Sequence, residues 1–215
     1  MSPRLNSLPH GGLRFTWVAV GVAAVIWYFL FAVPGVNFWG LIAPATLVLG
    51  VIGAPLVYRD TFTASGKEWL RYLGLGMAGA VALYVIFWVG NEVVALIPFM
   101  GEQQVENVYA TKAQASPNLI AALLLFPIGP GEELFWRAWV QRALMAKYGP
   151  WKGFAIATFF YIAIHIPSMN LTLLAAAAVA GIFWGLLYMK VGHIGPGLVS
   201  HALWDAAVFV WFPLG

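Results

Sequence analysis

118-NLIAALLLFPIGPGEELFWRAWVQRALMA-146 is long and apolar enough to cross a bilayer, yet Glu132, Glu133 and Arg137 stand in its middle. A helix needs ~20 mostly apolar residues to span the hydrocarbon core. Each ionisable side chain held there costs roughly 2.5–3.5 kcal/mol. The apolar part of this stretch therefore points to a membrane helix, and its three charges ask for a function.

Six further apolar runs surround it, at about 15–33, 37–58, 72–99, 153–166, 171–190 and 196–213. The breaks between them are chemically sensible: Pro34-Gly35, Arg59-Asp60 through Gly66-Lys67, Tyr148-Gly149-Pro150, Pro167, and Gly192 to Pro196. Residues 101–117, GEQQVENVYATKAQASP, form the one long polar loop. Only 9% of the 215 residues are charged and 62% are hydrophobic, against roughly 25% charged in a soluble domain. The mean hydropathy is +0.84. These features predict an all-α, polytopic transmembrane bundle of about seven spans. The runs are too long for strands and lack a period of two. One compact membrane domain is expected, with helices 1–3 and the outer loop in residues 1–117 and a chemistry-bearing core in 118–215. No cleavable signal peptide is expected, because the run after Arg14 lacks a clean small-residue cleavage site and is long enough to span.

The net charge of +3 reads as topology and not as nucleic-acid binding. If the N-terminus is cytoplasmic, Arg4, Arg14, Arg59, Lys67, Arg71, Arg142, Lys147, Lys152 and Lys190 fall on the inner side and Lys112 alone on the outer. By the positive-inside rule the chain is N-in and C-out, an integral multi-pass protein of a bacterial cytoplasmic membrane. There are no cysteines, which excludes disulfides and thiolate metal sites.

Intramembrane ionisable residues are functional candidates by default. They are Glu132, Glu133, Arg137, His165, His201 and Asp205, on the fourth, fifth and seventh runs. Glu133 and Arg137 are i,i+4 and share a face, so they can pair and offset most of each other's cost. Glu132 is turned about 100° away, which makes it the better chemical residue and Glu133 the structural one. Trp136, one turn on, can shield Glu132 from water. Gly129-Pro130-Gly131 should kink the span and leave the glutamates in the first turn of a half-helix, where negative charge is favoured. His201 and Asp205 are again i,i+4, and Tyr161 and His165 likewise. Glu92, beside Asn91, reads as an interfacial polar residue, and His193 and His10 read as surface residues.

Glu132-Glu133-x-x-x-Arg137, aromatic-x-x-x-His165 and His201-x-x-x-Asp205 resemble the three motifs of the CPBP intramembrane proteases. That family includes the type II CAAX prenyl endopeptidases and the bacteriocin-immunity or processing (Abi) proteins. The resemblance covers about residues 118–210. It departs at Tyr161, where the family usually has Phe, and at Asp205, where it usually has Asn. An ionised Asp cannot donate to an oxyanion as Asn can.

The resemblance implies an endopeptidase acting on a membrane-anchored protein or peptide, with the lipid bilayer and no nucleic acid as its other partner. It implies that Glu132, assisted by His165, activates a water, and that His201, with Asp205, stabilises the oxyanion. Glu133 and Arg137 then support the helix. No cofactor is favoured. If the reaction is metal-dependent, Glu132, His165, His201 and Asp205 are the ligands and zinc is the metal. The sequence lacks HExxH and GxSxG, which speaks against site-2 zinc and serine chemistry. A non-catalytic immunity or scaffold protein and a proton-relay transporter are the alternatives. Counted from the inner boundary, Glu132 and His165 lie roughly 18–23 Å along their helices and His201 about 8–10 Å. The three meet only if segment 191–197 dips into the membrane or the helix tilts.

Overall fold

The computed structural model describes residues 9, 12–94, 96–97 and 102–214; His10 lies outside them. Helices follow one another as α1 (Gly12–Ala32), α2 (Phe38–Val57), α3 (Gly66–Val94), α4 (Glu102–Tyr109), α5 (Pro117–Tyr148), α6 (Pro150–Ala163), α7 (Leu171–Val191) and α8 (Gly195–Ala206), the last continued by a π-helical turn, Ala207–Trp211. No strand occurs among the described residues. Five of these helices, α1, α2, α3, α5 and α7, are long and apolar enough to cross a membrane. With 14 residues, α6 spans ~21 Å at ~1.5 Å per residue, short of a ~30 Å core. It is bounded by Gly149-Pro150 at its start and by the Ile166–Ser168 turn containing Pro167 after its end. The expected bundle is thus present with five spanning helices, and the runs expected as fifth and seventh spans form shorter ones.

The central helix is α5, the most buried of the five. From Leu134 through Met145 every residue is buried, the polar Arg137, Gln141 and Arg142 included. It passes α2 at a point where neither can carry bulk: a Cβ on Gly131 would fall 2.6 Å from the Thr46 carbonyl oxygen. Lipid-facing surfaces of the other helices carry exposed Val18, Leu56, Leu70 and Val81, which suits an apolar solvent.

Two expectations are corrected. Residues 101–117 are not an open loop. They hold α4 and a 3₁₀ turn, Ala110–Gln114, because their polar groups find partners on neighbouring helices. Asn170 Nδ2 donates to the Gln104 carbonyl (2.8 Å), the Tyr109 hydroxyl donates to the Val208 carbonyl (2.8 Å), and the Phe38 amide donates to Gln114 Oε1 (2.6 Å). His193 is not a surface residue. It is 5% exposed, its ring stacks on Tyr72 at 4.3 Å, and its Nδ1 accepts from the Gly195 amide. Residues 193–197 are all buried, packed against the start of α3.

Candidate active site

The half-helix that carries the glutamates begins earlier than the glycines suggest. The backbone leaves helical geometry at Phe126 (φ −167°, ψ 126°), just before Pro127, and runs helically through Gly129-Pro130-Gly131. A proline removes an N–H and crowds the preceding turn, so the break falls at Phe126-Pro127 and not at the glycines. Glu132 stands in the first turn of the α-helical segment Gly129–Glu133 that follows the break. Beyond Glu133 the helix widens to π geometry from Leu134 to Gln141. Such bulges are frequent at functional sites.

Glu133 is the hub of a buried charge network. It is 0% exposed, and its Oε1 lies 3.2 Å from Arg137 and 3.0 Å from His201 Nδ1. The first contact is the expected i,i+4 pair; the second joins α5 to α8. Room for the carboxylate comes from Gly197, where a Cβ would fall 2.6 Å from Glu133 Oε2. His201 therefore meets the glutamates despite its shallow position by residue count, in keeping with the buried 193–197 segment that leads into α8. Its other nitrogen, Nε2, faces Asp205 Oδ2 at 3.4 Å. Its ring is stacked on Trp184 with centroids 3.6 Å apart. Two carboxylates and an indole thus fix the imidazole in place.

Glu132 points elsewhere, to the Tyr161 hydroxyl, which donates to its Oε2 at 3.3 Å. The Tyr161 ring is held by Trp136 edge-on (5.6 Å) and lies under the Arg137 guanidinium at 4.4 Å. Trp136, 1% exposed, shields the region as expected, although through Tyr161. His165 is buried, and its Nδ1 is engaged with the Tyr161 carbonyl at 2.8 Å. A neutral imidazole donates there, and Nε2 is then the nitrogen left for chemistry.

Glu132, Tyr161, His165, Trp184, His201 and Asp205 line one cavity of about 650 Å³ whose walls are mostly apolar. Glu133 and Arg137 sit behind it. The motif residues expected to converge are thus brought to one place, while Glu92 is exposed and takes no part. Trp184 and the Tyr161 hydroxyl were missed. An indole in an apolar run carries no positional signal, and the hydroxyl was read only as part of a ring.

The four residues expected to hold zinc in a metal-dependent reaction, Glu132, His165, His201 and Asp205, all line this cavity. Both His201 nitrogens face carboxylates. Among the described residues no group of three or more His, Cys, Asp or Glu side chains is placed to hold a metal ion.

Residues 114–207 match the protein-family model described as type II CAAX prenyl endopeptidase Rce1-like. The match spans a little under half of the chain and contains all three motifs, in support of the resemblance to the CPBP/CAAX protease-like family. No curated protein and no solved structure matches.

Proposed function

We propose, for a chain whose residues 114–207 carry the sequence of the CAAX protease-like family, that it is an intramembrane endopeptidase. It hydrolyses a peptide bond of a membrane-anchored protein or peptide through a glutamate-activated water. The observation that carries this reading is the shared cavity: Glu132, His165 and His201 line one space large enough for an extended segment of polypeptide.

Glu132 is the base. It lines the cavity with no ion pair among the described contacts, whereas Asp205 pairs with His201, and the Tyr161 hydroxyl fixes its Oε2. It takes a proton from a water that then attacks the scissile carbonyl. His165 Nε2 assists by orienting that water. His201 Nε2–H stabilises the oxyanion. The 3.4 Å separation from Asp205 is longer than a good N–H···O bond, so a substrate oxygen can replace that contact. Asp205 and Glu133 favour the donor form of His201, which removes the objection that an ionised Asp cannot serve an oxyanion itself. Glu132 then returns its proton to the leaving amine. Proton transfer of this kind contributes about 10²–10⁴-fold and an oxyanion donor about 10²–10³-fold. The bias of basic residues toward one side supports a cytoplasmic N-terminus, in a bacterial cytoplasmic membrane.

The test compares membrane-protein termini by mass spectrometry in cells carrying wild type or Glu132→Ala. Termini present only with wild type support the protease and name its substrate. Identical termini from two well-expressed, folded proteins sink it in favour of a scaffold or relay. Purified enzyme should keep its rate in EDTA and 1,10-phenanthroline; a loss restored by zinc would overturn the metal-free scheme.

A further inference from the structure

The cavity is built from one end of the bundle only. Its walls come from the last turns of α1, the first turns of α2, the end of α3, α4, α5 as far as Glu132, the end of α6, α7 as far as Trp184, and α8 from His201 onward. Every one of these segments lies on the side of the α1–α2, α3–α4 and α6–α7 connections. The basic residues occupy the other side. Arg14 opens α1, Arg59 lies between α2 and α3, Lys67 and Arg71 open α3, Arg142 and Lys147 end α5, Lys152 opens α6 and Lys190 ends α7. None of them lines the cavity. The one described basic residue at the cavity's end is Lys112, which lies over the Tyr109 ring.

Positive charge accumulates on the cytoplasmic side of membrane proteins. The two distributions therefore fix the direction of the mouth. We propose that the site opens to the non-cytoplasmic face, and that its substrate is a membrane-anchored polypeptide whose scissile segment is presented on that face. The mouth also limits the chemistry of that segment. It is edged by the amides Gln104 and Asn107 and by Met169, which is 83% exposed. Amides hydrogen-bond a peptide backbone as donors and acceptors, and a charge carried into a cavity whose walls are mostly apolar is costly, so a segment of low charge fits it best. The word substrate rests on the protease reading above; the direction of the mouth does not.

The chain has no cysteine, so single introduced cysteines report without background. Met169→Cys and Asn107→Cys mark the mouth; Trp151→Cys, at a position 65% exposed, marks the basic end. Intact cells producing the full chain are treated with a membrane-impermeant maleimide, and permeabilised cells give total labelling. Both mouth positions should label in intact cells, with Trp151→Cys labelled only after permeabilisation. Labelling of Trp151→Cys in intact cells, or of the mouth positions only after permeabilisation, overturns the proposal. No cleavage is measured, so an outward mouth on a protein that yields no new termini would refute the protease reading alone.

Discussion

At Tyr161 one hydroxyl separates a ring that only packs from one that also touches the candidate base. The ring contacts to Trp136 and Arg137 survive in Phe, while the bond to Glu132 does not. A hydrogen bond to a charged group contributes about 1.5–3 kcal/mol, and the 3.3 Å length puts this one at the low end. Tyr161→Phe should lower kcat about tenfold with KM unchanged and the melting temperature lower by only a few degrees. An unchanged kcat would mean that the hydroxyl is incidental. The ion pair behind it predicts a different pattern. Arg137→Met leaves Glu133 buried with His201 as its remaining described partner, and breaking a buried pair costs about 3–5 kcal/mol. Adding Glu133→Gln removes the uncompensated charge and should recover most of that stability in a detergent melt. Activity should stay lost, because His201 loses the carboxylate on Nδ1. A double variant as unstable as the single one would show that the guanidinium matters through packing alone.

Among the elements, α5 and α8 differ in how much of them could be read in advance. Charges at i,i+4 in an apolar run announce a pair, so Glu133 and Arg137 were legible. The bond from Glu133 to His201 was not, since it joins residues 68 apart and depends on how α8 is seated. That seating depends on the buried 193–197 segment. Its glycines read as a surface loop and hid the burial of His193. The break at Phe126-Pro127 was misplaced by three residues because glycines and a proline follow closely and each can interrupt a helix. The glycine that matters for the α5–α8 contact is Gly197. Gly197→Val brings branched carbons to the place now held by the Glu133 carboxylate, and overpacking of this kind costs roughly 1–3 kcal/mol. The expected outcome is a folded protein, judged by size-exclusion chromatography, with cleavage reduced at least as far as by Glu133→Gln. Full activity would mean that the Glu133–His201 contact is dispensable.

Across the whole molecule, one tie between helices lies at the end away from the cavity, which makes its role separable from the chemistry. At the basic end, Arg142 makes two hydrogen bonds to Asp60, at 2.8 and 2.9 Å, and lies 3.9 Å over the Tyr58 ring. It thereby ties the α2–α3 connection to the end of α5. The sequence showed Arg59-Asp60 only as a break between spans, since nothing local links Asp60 to a residue 82 positions away. The pair is not worth a full buried ion pair, because the Asp60 side chain is 41% exposed and solvent screens it. Bidentate geometry and the ring contact raise it above an ordinary surface pair. Arg142→Ala should therefore destabilise by about 1–3 kcal/mol, read as a lower melting temperature in detergent. Below that melt, kcat should stay within a factor of two or so of wild type, because no cavity-lining side chain touches Arg142 in the described contacts. The comparison to make is with Glu132→Gln, which should melt like wild type and lose about 10²–10⁴-fold in rate. If Arg142→Ala instead lost activity at an unchanged melting temperature, the two ends would be coupled through α5, and a site confined to the cavity end would be the wrong description.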